Sequence, residues 1–130
     1  MIAGKPKRIL CVDDSQDNCE LLRFILSDEG CQVELASSIA QGMQLAQSGS
    51  FDLYLLDLSY EDGSGFDLIQ GIRAFDPFTP IIVCSGDSRD AIPEAVKQAG
   101  GHAFLLKPFD PDTLVQTVSD VFGEPLPAHN

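Results

Sequence analysis

Apolar and polar positions along the chain alternate between two periods. Short aliphatic or β-branched runs occupy Arg8 to Val12, Gln32 to Ala36, Phe51 to Leu56, Ile81 to Cys84 and Ala103 to Leu106, and each has the length and content of a strand. Between them the period is helical. Leu21, Leu22, Ile25 and Leu26 recur at i, i+1, i+4 and i+5, which predicts one apolar helix face. Ile39, Met43 and Ala46 repeat this more weakly, Phe66, Ile69 and Ile72 recur every three residues, and Leu114, Val115, Val118, Val121 and Phe122 form a continuous stripe. Asp110 and Pro111 supply an N-cap and a first-turn proline to that last helix, and Gly123 follows its end. Pro93, inside DSRDAIPEAVKQAG, cannot donate to a helix ladder, so the fourth helix is expected to begin near Ile92 or Pro93, leaving a long mobile loop after Cys84.

Strands that alternate with helices predict an α/β fold, a doubly wound parallel sheet with helices on both faces. In such sheets, ligands gather beyond the carboxyl ends of the strands, where the winding reverses. The strand endings are therefore the place to look for chemistry. They read VDD at Asp13 and Asp14, LLD at Asp57, VCS at Ser85 and LLK at Lys107. Four of the five predicted strands thus end in a group able to bind a cation, a phosphoryl oxygen or a carboxylate.

Composition narrows the functional classes. At 130 residues the chain has the size of one domain, expected over residues 7–123, with a flexible segment at 1–6 and an unanchored tail or truncated linker, EPLPAHN, over 124–130. Twenty acidic residues against eight basic ones give a net charge of −12, which disfavours direct binding to nucleic acid or anionic membranes. No stretch approaches the apolar length of a membrane span, and MIAGKPKR lacks a following signal-peptide core, so a cytoplasmic location is expected. The four cysteines form no CxxC pair, and His102 and His129 stand alone, so no metal-ligand spacing emerges. Cys11 and Cys84 lie within apolar runs and read as small hydrophobes in a reducing compartment.

Three carboxylates converging on one sheet edge repel one another unless a cation neutralises them. Mg²⁺ suits an all-oxygen set built from one or two carboxylates and phosphate oxygens. With charge so offset, by the metal and a nearby Lys, a carboxylate can attack phosphorus. Each residue also has a plainer reading. Asp13 and Asp14 are good turn residues, Lys107 with Pro108 can simply terminate a strand, Ser85 can be a satisfied turn hydroxyl, and Phe104 a core aromatic. Asp62 with Gly63 reads as a turn. Turn propensity alone leaves unexplained why all the reactive groups fall at strand ends on one edge.

The segments VDDS, LLDL, DGSGFDL, VCSGD and AGGHAFLLKPF, in that order, resemble the receiver domain of two-component response regulators of the chemotaxis-regulator type, over roughly Lys7 to Phe122. The resemblance implies a flavodoxin-like strand order 2-1-3-4-5 and a phosphorelay switch with Asp57 as phosphoacceptor. Its phosphoryl group would come from a phosphohistidine on a histidine kinase or histidine phosphotransfer protein. It further implies that Asp14 and Asp57 ligate Mg²⁺ directly, that Asp13 holds it through water, and that the Ser59 backbone carbonyl completes the protein ligands. Lys107 would bind a phosphoryl oxygen, as would Ser85, whose movement would let Phe104 turn inward. The Lys107–Pro108 peptide bond would be cis, and an unknown downstream protein would dock on the fourth helix, fifth strand and fifth helix. Such a protein modifies itself and is not a turnover enzyme on a separate substrate.

Several positions depart from the commoner family pattern. Tyr60 and Glu61 stand where many receivers carry Met-Pro, which is expected to loosen the loop and to add charge near an acidic site. Ser59 and Asp87 occupy positions that tune the lifetime of the phosphorylated state, and Phe104 lacks the hydroxyl of the tyrosine found in many relatives. Pro93 shortens a helix of the usual output face. Two rival readings remain: a receiver-like interaction module indifferent to phosphate, and an aspartate-nucleophile phosphatase. The phosphatase would need a second acid two residues after the nucleophile, where Ser59 stands.

Overall fold

A computed structural model describes residues 5–126. The five predicted strands form one parallel sheet: β1 (Arg8–Val12), β2 (Gln32–Ala36), β3 (Leu53–Leu56), β4 (Ile81–Ser85) and β5 (Ala103–Leu106), in the spatial order β2-β1-β3-β4-β5. The winding reverses between β1 and β3, so the switch point lies where Asp13 and Asp57 emerge. Val12 pairs with Leu56, and the two aspartates therefore leave neighbouring strands at the same level.

Alternation along each strand divides the core between the two faces. Leu10, Val12, Tyr54, Leu56, Ile81 and Val83 face α2 (Ile39–Ser48), α3 (Gly65–Phe75) and α4 (Ala91–Ala99). Ile9, Cys11, Leu53, Leu55, Ile82 and Cys84 face α1 (Gln16–Asp28) and α5 (Pro111–Phe122). Burying each aliphatic side chain contributes about 1.5–3 kcal/mol, and a sheet buried on both faces collects this from successive residues. All four cysteines are free and buried, and burial holds the Cys84 thiol up at about 12, so they serve as apolar filling. No helix among the described residues is long and apolar enough to cross a membrane.

The helix starts have local causes. Ser15, Ser38 and Asp110 accept from the N–H groups of Asn18, Gln41 and Thr113, and Ser64 accepts from Phe66. α4 begins at Ala91, a residue earlier than expected, with no side-chain cap. Pro93 is then the third helical residue, where an N–H would find no intrahelical partner anyway. The loop before it spans only 86–90, shorter than expected, because β4 continues through Ser85.

Two further expectations are corrected. Leu21 is 55% exposed, and the buried face of α1 is Cys19, Leu22 and Leu26. Adjacent residues on a helix sit about 100° apart, so Leu21 and Leu22 cannot both point at the sheet. At the other end, Leu126, assigned by sequence to an unanchored tail, is 1% exposed in the core beneath α1 and α5, and Glu124 pairs with Lys7 at 3.4 Å. The packed unit therefore reaches at least Leu126. The rest of the proposed end segments, 1–4 and 127–130, lies outside the described residues.

Gly65 lets α3 abut the end of β3. A Cβ there would fall on the Asp57 carbonyl oxygen and 2.8 Å from Leu58 Cα, both backbone atoms that cannot swing aside. Gly65→Ala is expected to cost at least about 1–3 kcal/mol through this clash, read as a lower midpoint in urea unfolding. A second prediction concerns acid. His102 Nδ1 accepts the Ile81 N–H at 3.3 Å, and burial, then the positive charge of Arg73, lowers its pKa. A lowered pKa adds stability above the unfolded value of about 6.5 and loses it as the pH falls below. The stability advantage of the wild type over His102→Ala should therefore shrink between pH 7.5 and pH 5, as measured by paired melting curves.

Candidate functional site

The register of β1 and β3 delivers three carboxylates to one point. Asp13, Asp14 and Asp57 each offer an oxygen within 4.8 Å of the others. Asp13 is 4% exposed, Asp57 half-buried and Asp14 exposed. The buried carboxylate is well partnered: Asp13 Oδ1 accepts from the Ser15 N–H at 2.9 Å, and Oδ2 accepts from Asn18 Nδ2 at 3.5 Å. Asp57 Oδ1 accepts from the Leu58 N–H at 2.6 Å.

Lys107, at the end of β5, closes the site from the other side. Its Nζ donates to Asp13 Oδ2 at 2.9 Å and to Asp57 Oδ2 at 3.0 Å. Burial opposes its charge, but the hydrogen bonds and negative charges of the two aspartates outweigh burial and raise its pKa, so the ammonium stays charged. Three negative charges against one positive leave two uncompensated at the sheet end. The donor set is all oxygen, and together with that residual charge it fits Mg²⁺, which binds oxygens at about 2.0–2.1 Å and keeps several waters.

Ser85 is 5% exposed, its Oγ accepts from the Asp87 N–H at 3.1 Å, and its carbonyl accepts from the Lys107 N–H at 2.8 Å. The Lys107–Pro108 bond is cis. Phe104 lies half-buried against the core on the α4 side, beside Val83 in the sheet. Asp87 is turned to Arg89, whose Nη2 lies 2.6 Å from its carboxylate.

The loop after Asp57 is where the sequence reading fails. Paired backbone and side-chain hydrogen bonds hold it where a proline is absent. Ser59–Tyr60 pairs antiparallel with Gly63–Ser64, and Gly63 adopts a φ of 148°, a region that suits glycine. Ser59 is thereby set in a paired backbone two residues beyond Asp57. Tyr60 is buried, and its hydroxyl donates to the Val12 carbonyl and accepts from the Asp57 N–H, both at 2.7 Å. Asp62 does more than turn the chain, since its carboxylate accepts from the N–H groups of Ile39 and Ala40 at the start of α2. Those bonds lower its pKa. Glu61 is exposed.

Beside the acidic cluster runs an apolar cleft of about 390 Å³ lined by Leu21, Leu22, Ile25, Pro108, Phe109 and Pro111. Asn18 and Lys107 belong to both the cleft and the cluster. Helical periodicity alone does not reveal this surface, because it assigns Leu21 and Ile25 to the core.

Comparison with known proteins agrees with this geometry. The chain is 34% identical over 129 residues to the transcriptional regulatory protein GlrR of Escherichia coli K12, covering 98% of this chain and 29% of that protein. It thus spans less than a third of that relative's length. The chemotaxis response regulator CheY4 of Vibrio cholerae superposes with a TM-score of 0.85 at 29% identity, covering 89% of this chain and 98% of that one. A CheY-like receiver domain protein from Methanospirillum hungatei gives 0.86 at 27% identity, covering 91% and 94%. Residues 9–119 match the model of the response regulator receiver domain. With the acidic cluster, the bridging lysine and the strand order all in place, the chain belongs to the response regulator receiver domain family.

Proposed function

We propose that this chain is a phosphorylation-activated switch of a two-component phosphorelay in which Asp57 accepts a phosphoryl group from a phosphohistidine on a histidine kinase or histidine phosphotransfer protein. The observation that carries the reading is the Lys107 ammonium held between Asp13 and Asp57 at the switch point of the sheet. In the transfer, an Asp57 carboxylate oxygen attacks phosphorus. The P–N bond breaks, its electron pair stays with the donor imidazole, and an acyl phosphate results. Asp14 and Asp57 would hold Mg²⁺ directly, Asp13 through water, with the Ser59 carbonyl as a further ligand. When bound, the ion offsets negative charge on the transferring group. Lys107 is positioned to follow a phosphoryl oxygen while keeping its bond to Asp13.

The switch step follows from hydrogen bonding. The Ser85 hydroxyl accepts from Asp87 and retains its own proton, which it can donate to a phosphoryl oxygen. Drawing Ser85 inward would vacate space for the Phe104 ring and change the face formed by α4, β5 and α5, where Leu106 is 45% exposed. A downstream protein would read that change. The phosphodonor would seat on the apolar cleft beside Lys107, which adjoins the phosphoacceptor. The chain works in the cytoplasm and modifies itself, without turnover of a separate substrate.

Incubation with a small acyl or amido phosphate and Mg²⁺ is expected to add the mass of one phosphoryl group, observed on the intact protein. Asp57→Asn and omission of Mg²⁺ should each abolish the gain. Absence of any gain in the wild type would replace this reading with that of a phosphate-independent docking module. Lys107→Ala should slow uptake by roughly a hundredfold, the usual cost of removing one preorganised donor to a transferring group, in a time course of the same mass measurement.

A further inference from the structure

We propose that the Tyr60 hydroxyl is a positioning group for Asp57, one that ties the phosphoacceptor's own backbone to the end of β1 and so sets its spacing from Asp13 and Asp14. The proposal rests on the reading of these aspartates as the phosphoryl and Mg²⁺ site.

The argument begins at the sheet. Where β1 and β3 end, the direct ladder bond from the Asp57 N–H to the Val12 carbonyl has lengthened to 3.3 Å, beyond the ordinary range for such bonds. The Tyr60 hydroxyl sits beside it and adds two short bonds, each of 2.7 Å, so that the Asp57 N–H is shared between the Val12 carbonyl and the phenol oxygen. One is to the residue before Asp13 and the other is to Asp57 itself. A single hydroxyl therefore spans both strand ends that carry the site. Serving both bonds requires the phenol to keep its proton.

The ring is anchored from both directions. It packs in the core with Leu58, Leu56 and Val12, and the hairpin that carries it is fastened to α2 by Asp62. The hydroxyl consequently has little freedom to leave. An apolar side chain at this position could fill the volume but could not bridge Val12 and Asp57. Tyr60 acts through Asp57 and not by contact with substrate or metal.

The test is Mg²⁺ affinity of the full chain, followed by backbone amide shifts during titration with the metal alone. Tyr60→Phe and Tyr60→Met are compared with Tyr54→Phe. Tyr54 is a control on β3, a buried tyrosine whose hydroxyl donates to Asp76 at 3.1 Å. Tyr60→Phe is expected to fold, to move the Asp57 amide resonance, and to weaken Mg²⁺ binding by about three- to tenfold, the scale of one neutral hydrogen bond. Tyr60→Met should show the same loss. Tyr54→Phe should bind Mg²⁺ like the wild type even where it lowers stability as much. In the wild type, exchange of the Asp57 amide with solvent should be slow. Unchanged affinity in Tyr60→Phe, an equal loss in Tyr54→Phe, or fast exchange of the Asp57 amide would each overturn the proposal while leaving the switch reading intact. A wild type that binds no Mg²⁺ would overturn both.

Discussion

The site is organised by an electrostatic imbalance: three carboxylates held within one cation's reach, opposed by a single ammonium. Coulomb repulsion between charges a few ångströms apart costs several kcal/mol where water is partly excluded. The fold tolerates it because each carboxylate nearest the interior is supported by fixed donors. Asp13 takes a backbone N–H from Ser15 and the Lys107 ammonium, and Asp57 takes the Leu58 N–H and the same ammonium. Backbone donors are present whatever the charge on the site, so they orient the carboxylates without neutralising them. That leaves a residual negative charge to attract a divalent cation, and the arrangement is prepared for chemistry without being quenched by it.

This preparation depends on the end of β3 being rigid, and three contacts of different kinds supply the rigidity. Gly65 allows α3 to press against the backbone of Asp57 and Leu58, which a methyl group would forbid. Asp62 fastens the following loop to the N-terminus of α2, where free N–H groups and the helix dipole favour an anion. The Tyr60 hydroxyl joins Val12 to Asp57. A proline would stiffen such a loop by restricting the unfolded chain. Here the restraint is instead made by contacts in the folded state.

Much of this was legible in the sequence, and the division has physical causes. Strand endings could be read because a parallel sheet buried on both faces forces uninterrupted apolar runs, and the first polar residue after each run marks its carboxyl end. Asp13, Asp57, Ser85 and Lys107 were exposed by that rule alone. The side of α1 was harder to read, since Leu21 and Leu22 carry equal hydrophobicity and only the buried Cys19 breaks the tie. Tyr60 was opaque for a different reason. An aromatic residue in a loop signals burial, while the partners of its hydroxyl lie 48 residues back at Val12 and three residues back at Asp57. The reach of Asp62 to Ile39 spans 23 residues and has no local signature. Leu126 was obscured by the prolines on both sides, which read as linker although its side chain completes the core.

The net charge of −12 bears on how a phosphodonor would reach Asp57. A phosphoryl group approaching an acidic chain meets repulsion at long range, although salt screens exposed charges over about 10 Å at 0.1 M ionic strength. Attraction must therefore be local. The surface adjoining the site meets this need: Leu21, Ile25, Pro108 and Phe109 offer apolar area whose burial does not depend on charge, while Lys107 places a positive group at the inner edge. On the proposed reading, apolar docking holds the donor against the general repulsion, and the ammonium acts only over the last few ångströms. Selectivity among donors would then reside in the shape of the α1 cleft, and reactivity in the acidic cluster. The two could vary independently, because only Asn18 and Lys107 belong to both.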